Sequence, residues 1–171
     1  YLFCLVAGPL AMREAPFTTM HGREVSLRLY AAQRELPRLG FALDALQHAM
    51  RWDETEYGRE YDLDRFHIVA IDDFNMGAME NKSLNVFNTE SLLAAPETAT
   101  DNDFSNVLAV VGHEYFHNWA GNRVTCRVLF QLSLKEGITV FREQQFAAAQ
   151  GSAGVERIDQ VEILRNHQFR E

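Results

Sequence analysis

The sequence predicts an α+β chain in which a mixed sheet is followed by helices. Two observations carry that expectation. Short apolar or alternating stretches, bounded by Gly, Pro, Asn and Asp, occupy most of the first ninety positions around one helical segment. Beyond position 100 the apolar residues recur at helical spacing instead. At 171 residues and 47% hydrophobic content, the chain is long enough for a sizeable core and ordinary in composition for a globular protein.

The elements follow in order. Residues 1–9 open inside an apolar stretch, Tyr-Leu-Phe-Cys-Leu-Val-Ala-Gly, and read as the end of a preceding β domain, with Gly8-Pro9 as the boundary. Residues 10–171 then belong to a second domain. Phe17–Met20 and Glu24–Tyr30 flank a His21-Gly22 turn and read as a hairpin. From Pro37 to Tyr57, Phe41, Leu43, Leu46, Met50 and Trp52 mark an amphipathic helix. Residues 64–72 and 83–88 read as strands, and 89–103 as a loop. A helix over 103–120 has Asp101, Asp103 or Ser105 as its N-cap and Gly121-Asn122 as its stop. Val107, Val110, Val111, Tyr115 and Phe116 make it apolar around most of its circumference, which suits a buried helix. Gln131–Glu143 reads as a further helix, with Leu132, Ile138 and Phe141 among its apolar positions. Val155–Phe169 is a last helical pattern, after which the chain stops, so the sequence reads as part of a longer protein.

The chemistry concentrates on the helix at 103–120. His113 and His117 are four apart, so on a helix they project about 40° from each other on one face and can close on a single zinc ion. Glu114, about 100° round from His113, can reach a water there without being a ligand. Two buried histidines with a glutamate between them would otherwise be costly to leave unpartnered. A catalytic zinc takes three protein ligands and keeps a position open. Glu136, eighteen intervening residues after His117, leaves room for a turn and a second helix that packs back, and is read as the third ligand. Two neutral imidazoles and one carboxylate leave a net charge of about +1, which suits a Lewis acid. Glu143 falls on nearly the same face as Glu136 and is a candidate acceptor for a ligand histidine N–H; an ordinary solvated glutamate is an equal reading.

A second motif lies upstream. Gly77-Ala78-Met79-Glu80-Asn81 sits between two strand patterns, with residues small enough at Gly77 and Ala78 for a peptide backbone to approach as an added strand. Glu80 offers a carboxylate to a free α-ammonium. Alone, the pentapeptide reads as a glycine turn with a surface glutamate; beside a zinc motif it gives a peptidase a direction.

His113-Glu114-x-x-His117, Glu136 and the Gly-Ala-Met-Glu-Asn run together resemble the aminopeptidase N family of zinc metallopeptidases (gluzincins). Val111 to Trp119, Gly121 to Arg127 and Leu134 to Gly137 are most similar to its bacterial branch, and the likeness runs through nearly the whole chain. The resemblance implies an incomplete thermolysin-like catalytic domain that releases N-terminal amino acids from peptides. It implies one zinc on His113, His117 and Glu136, with Glu114 as general base and acid. Glu80 would bind the substrate amine, with Met76, Gly77, Ala78, Met79 and Asn81 lining the same subsite and Met76 as a wall of the first side-chain pocket. An epoxide-hydrolysing relative shares the ligands but begins the pentapeptide with two glycines, so Ala78 favours the aminopeptidase. The family's oxyanion-stabilising tyrosine and second amine-binding acid would lie outside this chain, in the remaining domains. A zinc-binding segment with little activity of its own is therefore the other expectation.

Composition narrows the partners. A net charge of −8 argues against nucleic acid. No apolar run approaches the length of about eighteen residues that a membrane span needs. Cys4 and Cys126 fit no metal or redox spacing and are read as buried free thiols, which suits a cytoplasmic setting. His21, His48, His67 and His167 belong to no motif.

Overall fold

Strands β1 (Ala11–Thr18) and β2 (Glu24–Ala31) pair antiparallel in the computed structural model, which describes residues 3–152. This is the expected hairpin with a longer first arm. β1 runs through Pro16, whose missing N–H is tolerated because β1 is the outermost strand. A 3-10 segment (Gln33–Leu39) holds Pro37, and the α-helix proper, α1, spans Gly40–Tyr57. The helix thus starts later than the apolar pattern suggests, because Pro37 is taken up in the 3-10 turn, where it interrupts no α-helical bond.

β3 (Arg65–Ile71), β4 (Ala78–Met79) and β5 (Leu84–Asn88) complete a five-stranded sheet of order β1-β2-β3-β5-β4. β2, β3 and β5 run parallel, while β1 and β4 lie antiparallel to their neighbours, so the sheet is mixed. α1 is the crossover that a parallel β2–β3 pair requires. In β2 the alternation buries Val25, Leu27, Leu29 and Ala31 on one face. Ala42, Leu46, Ala49 and Met50 of α1 join that cluster, as do Phe104, Val107, Val111 and Tyr115 of α2 (Asp101–Phe116). Each fully buried leucine here, such as Leu27 or Leu46, contributes on the order of 1.5–3 kcal/mol, so this packing outweighs any single cap or ion pair at the surface.

The cap of α2 differs from expectation. Thr100 is the N-cap: its hydroxyl oxygen accepts the Asp103 N–H at 3.3 Å, and the Thr100 N–H donates to the Asp103 carboxylate at 2.7 Å. Only a residue three before Asp103 can close both halves of this box. At its other end α2 stops at Phe116, with His117 as a C-cap of φ −61°, instead of reaching residue 120.

α3 spans Leu132–Ser152, longer than the segment read from sequence. Leu132, Ile138 and Phe141, the apolar positions that suggested it, are exposed. Its inward face is built from Thr139, Arg142 and Phe146. Arg142 pairs with Asp53 of α1 and donates to the Phe116 carbonyl of α2 at 3.3 Å, joining the three helices. Burial pushes its guanidinium down to about 10.

Residues 3–10 hold no regular secondary structure. Cys4 and Cys126 are free, as expected, but partly exposed and not buried, because each lies in irregular backbone outside the core. The pattern at 155–169 and His167 lie outside the described residues. Among the described residues no helix is long and apolar enough to cross a membrane.

Candidate metal centre

Gly112 precedes the first motif histidine, and it sets how closely α3 approaches α2. A Cβ at this position would fall 2.8 Å from Phe146 Cδ1, so only glycine lets the two helices pack at this depth. The packing brings Glu136 of α3 over the last turn of α2. His113 Nε2 and His117 Nε2 stand 3.0 Å apart, and Glu136 Oε2 lies 3.4 and 3.3 Å from them. Ligands held about 2.0–2.1 Å from a tetrahedral zinc stand about 3.3–3.4 Å apart, so the triangle has the right size for one ion. These three residues are the group able to hold a metal among the described residues.

The other ring nitrogens explain why a cation belongs there. His113 Nδ1 meets the Glu143 carboxylate at 2.9 Å, and His117 Nδ1 meets the Ala120 carbonyl at 2.7 Å. Both partners are acceptors, so in the neutral rings each Nδ1 carries the proton and each Nε2 presents a lone pair. Two such lone pairs 3.0 Å apart repel unless a positive charge lies beside both. The donor set therefore fits a divalent metal. Burial pushes the His117 imidazole down despite the Ala120 bond, which favours the neutral ligand form. For His113 burial acts in the same direction, but the Glu143 hydrogen bond and the surrounding carboxylates raise it overall.

Glu114 lies near enough to the cluster for His113, Glu80 and Glu136 to act on its charge. It is 8% exposed, and its Oε2 is buried without a hydrogen-bond partner. Burial pushes its carboxyl up to about 8 in the metal-free arrangement; His113 opposes this, and the charges of Glu80 and Glu136 add to it. An orphaned carboxyl oxygen next to an open cluster is a group placed for a proton that the fold itself does not supply.

The upstream pentapeptide is brought to this cluster. Ala78 and Met79 form β4, which pairs with β5 on one side and, among the described residues, has no strand on the other. Met76 and Gly77 are exposed, whereas Glu80 and Asn81 are buried. The Asn122 amide donates to the Glu80 carbonyl at 2.8 Å, and Lys82 reaches both Asp62 and Asn118, so the segment is pinned to the turn after His117. The Asn81 carbonyl accepts the Leu84 N–H at 2.9 Å and closes the turn into β5.

Lys135 is a member that sequence reasoning missed. Its ammonium lies 2.5 Å from Glu80 Oε1 and 2.8 Å from Glu136 Oε1, linking the upstream carboxylate to the metal cluster. Burial acts against Glu136 ionising, yet the Lys135 bond and the two histidines hold its carboxyl below the usual range. Gly121 makes room for this lysine: its φ is +128°, and a Cβ there would meet Lys135 Cδ at 2.9 Å. Adjacency to Glu136 was the only signal in the sequence, and it does not say which way the side chain turns.

A sheet edge thus leads to a His-His-Glu cluster where two packed helices meet, with the unpartnered Glu114 oxygen beside it. The Peptidase family M1 domain matches residues 41–169, and the chain belongs to that family. It is 58% identical over 171 residues to "Aminopeptidase N" of Caulobacter vibrioides and 56% identical over 171 residues to "Aminopeptidase N" of Escherichia coli. Each alignment covers 100% of this chain and 20% of the relative, so the chain spans about a fifth of their length. The crystal structure of Legionella pneumophila aminopeptidase A in complex with aspartic acid superposes with a TM-score of 0.79 at 42% identity, covering 81% of this chain and 16% of that one.

Proposed function

We propose that this chain is the metal-bearing part of a zinc aminopeptidase, acting on peptides with a free N-terminus. The observation that carries the reading is the triangle of His113 Nε2, His117 Nε2 and Glu136 Oε2 beside the unpartnered Glu114 oxygen. The M1 family membership and the aminopeptidase names of the relatives support it. Zinc bound by those three residues supplies Lewis acidity to a carbonyl and acidifies water. Glu114 takes the proton of the attacking water and returns it to the leaving amine. Glu143 and Ala120 hold the two imidazoles in the tautomer that directs Nε2 inward. A peptide pairing along the free edge of β4 would run towards the metal, with its α-ammonium received by Glu80.

In this reading residues 10–171 are the first part of the catalytic domain, and residues 1–9 end a preceding one. Exposed Leu129 and Phe130, just before α3, and exposed Ile138 and Phe141 on it support packing of further protein there. Glu80 is the group that distinguishes an exopeptidase from an endopeptidase. In the intact protein Glu80→Ala should raise KM for peptides with a free α-amine about tenfold or more, since a charge-assisted hydrogen bond contributes roughly 1.5–3 kcal/mol. Equal cleavage of free and N-acetylated peptides by the unaltered protein would remove the N-terminal anchor from the account.

A further inference from the structure

Three residues of α3 at helical spacing face the metal cluster. Glu136 contributes a ligand oxygen, and Glu143 accepts the hydrogen bond from the His113 Nδ1–H. Between them, Thr139 is fully buried, with its hydroxyl oxygen 3.1 Å from His117 Nδ1. The direction of that bond is settled by the neighbours. The Thr139 hydroxyl donates to the Lys135 carbonyl at 3.0 Å, so its oxygen presents a lone pair to His117. The Ala120 carbonyl, 2.7 Å from the same Nδ1, can only accept. His117 Nδ1 is therefore the donor to both.

The two acceptors are not equivalent. Ala120 belongs to the turn that continues directly from His117, so it moves with the residue it holds. Thr139 sits on the helix that carries Glu136, and its bond relates the second histidine to the third ligand. We propose that Thr139 is a positioning residue for the metal centre: its hydroxyl oxygen fixes the rotation of the His117 ring relative to Glu136, as Glu143 does for His113. α3 would then deliver one ligand and one orienting acceptor to each histidine. This rests on the zinc reading above.

The test is zinc affinity, measured in the intact protein by competition with a chelating dye. Groups that orient metal-bound histidines typically change metal affinity about 10–100-fold, so Thr139→Val, which keeps the shape and removes the acceptor, should raise the zinc Kd about tenfold or more. Thr139→Ser should return it to within about twofold of the unaltered protein, because the serine hydroxyl restores the acceptor. Unchanged zinc affinity in the valine variant would overturn the inference and leave the zinc reading standing. So would a loss that serine fails to recover. An unaltered protein with no measurable zinc affinity would sink the zinc reading itself. Should the valine variant not fold, alanine against serine at the same position decides, and equal zinc Kd values in that pair overturn the proposal.

Discussion

Glu114 is the residue on which the proposed chemistry turns, and its environment gives a prediction with a sign. Without metal its carboxyl sits at about 8, raised first by burial, so at pH 7 it is mostly protonated. A dication a few ångströms away favours the carboxylate, so zinc binding at pH 7 should release a proton from Glu114. Titrating zinc into weakly buffered metal-free protein should therefore release about one proton fewer in Glu114→Gln than in the unaltered protein. The sign for stability is opposite to that of a salt-bridged acid. Because the folded value lies above the ordinary glutamate value of 4.5, Glu114 stabilises the metal-free protein at low pH and loses that contribution as pH climbs from 4.5 to about 8. The same variant should keep its zinc while turnover falls about 10²–10⁴-fold, the usual range for a general base. Full turnover in it would remove Glu114 from the mechanism. His113, Glu114 and His117 were legible in the sequence because helix geometry alone places them. Lys135 and Thr139 were not, since what they touch is decided by how α3 crosses α2.

The elements show a similar divide. Periodicity located α1, α2 and α3, but the apolar positions that marked α3 are not the ones it packs with. Leu132, Ile138 and Phe141 suggested the helix and lie exposed, while its packed face holds the polar Thr139 and Arg142. A hydrophobic pattern cannot announce an inward arginine, and that arginine pairs with Asp53 of α1. The pair is buried on both sides, at 1% exposure for Asp53 and 7% for Arg142. Truncating Asp53 to Ala would leave the guanidinium buried without its counter-charge, which typically costs about 3–5 kcal/mol. Chemical denaturation of Asp53→Ala should show a loss of that size, and a loss below about 1 kcal/mol would place the joint between the helices elsewhere. Thr100 was overlooked for a local reason: Asp101, Asp103 and Ser105 are all good caps, and only the reciprocal bonds with Asp103 decide among them.

For the whole molecule, the sheet and helices act as a frame that brings two distant sequence motifs to one place. β4 ends at Met79, Glu80 follows it, and Lys135, 55 positions further along the chain, joins Glu80 to Glu136 of the candidate metal site. Neither motif alone specifies that meeting. The mixed sheet order and the close α2–α3 packing at Gly112 produce it. In the proposed function the His113, His117 and Glu136 cluster holds a zinc on which peptide cleavage depends. The most direct test is to measure zinc content and amino-acid release from a peptide by the intact protein, before chelation, after it, and after zinc is restored. The account predicts about one zinc per chain, with activity lost and regained together with the metal. A protein that cleaves peptides equally well once stripped of zinc would contradict it.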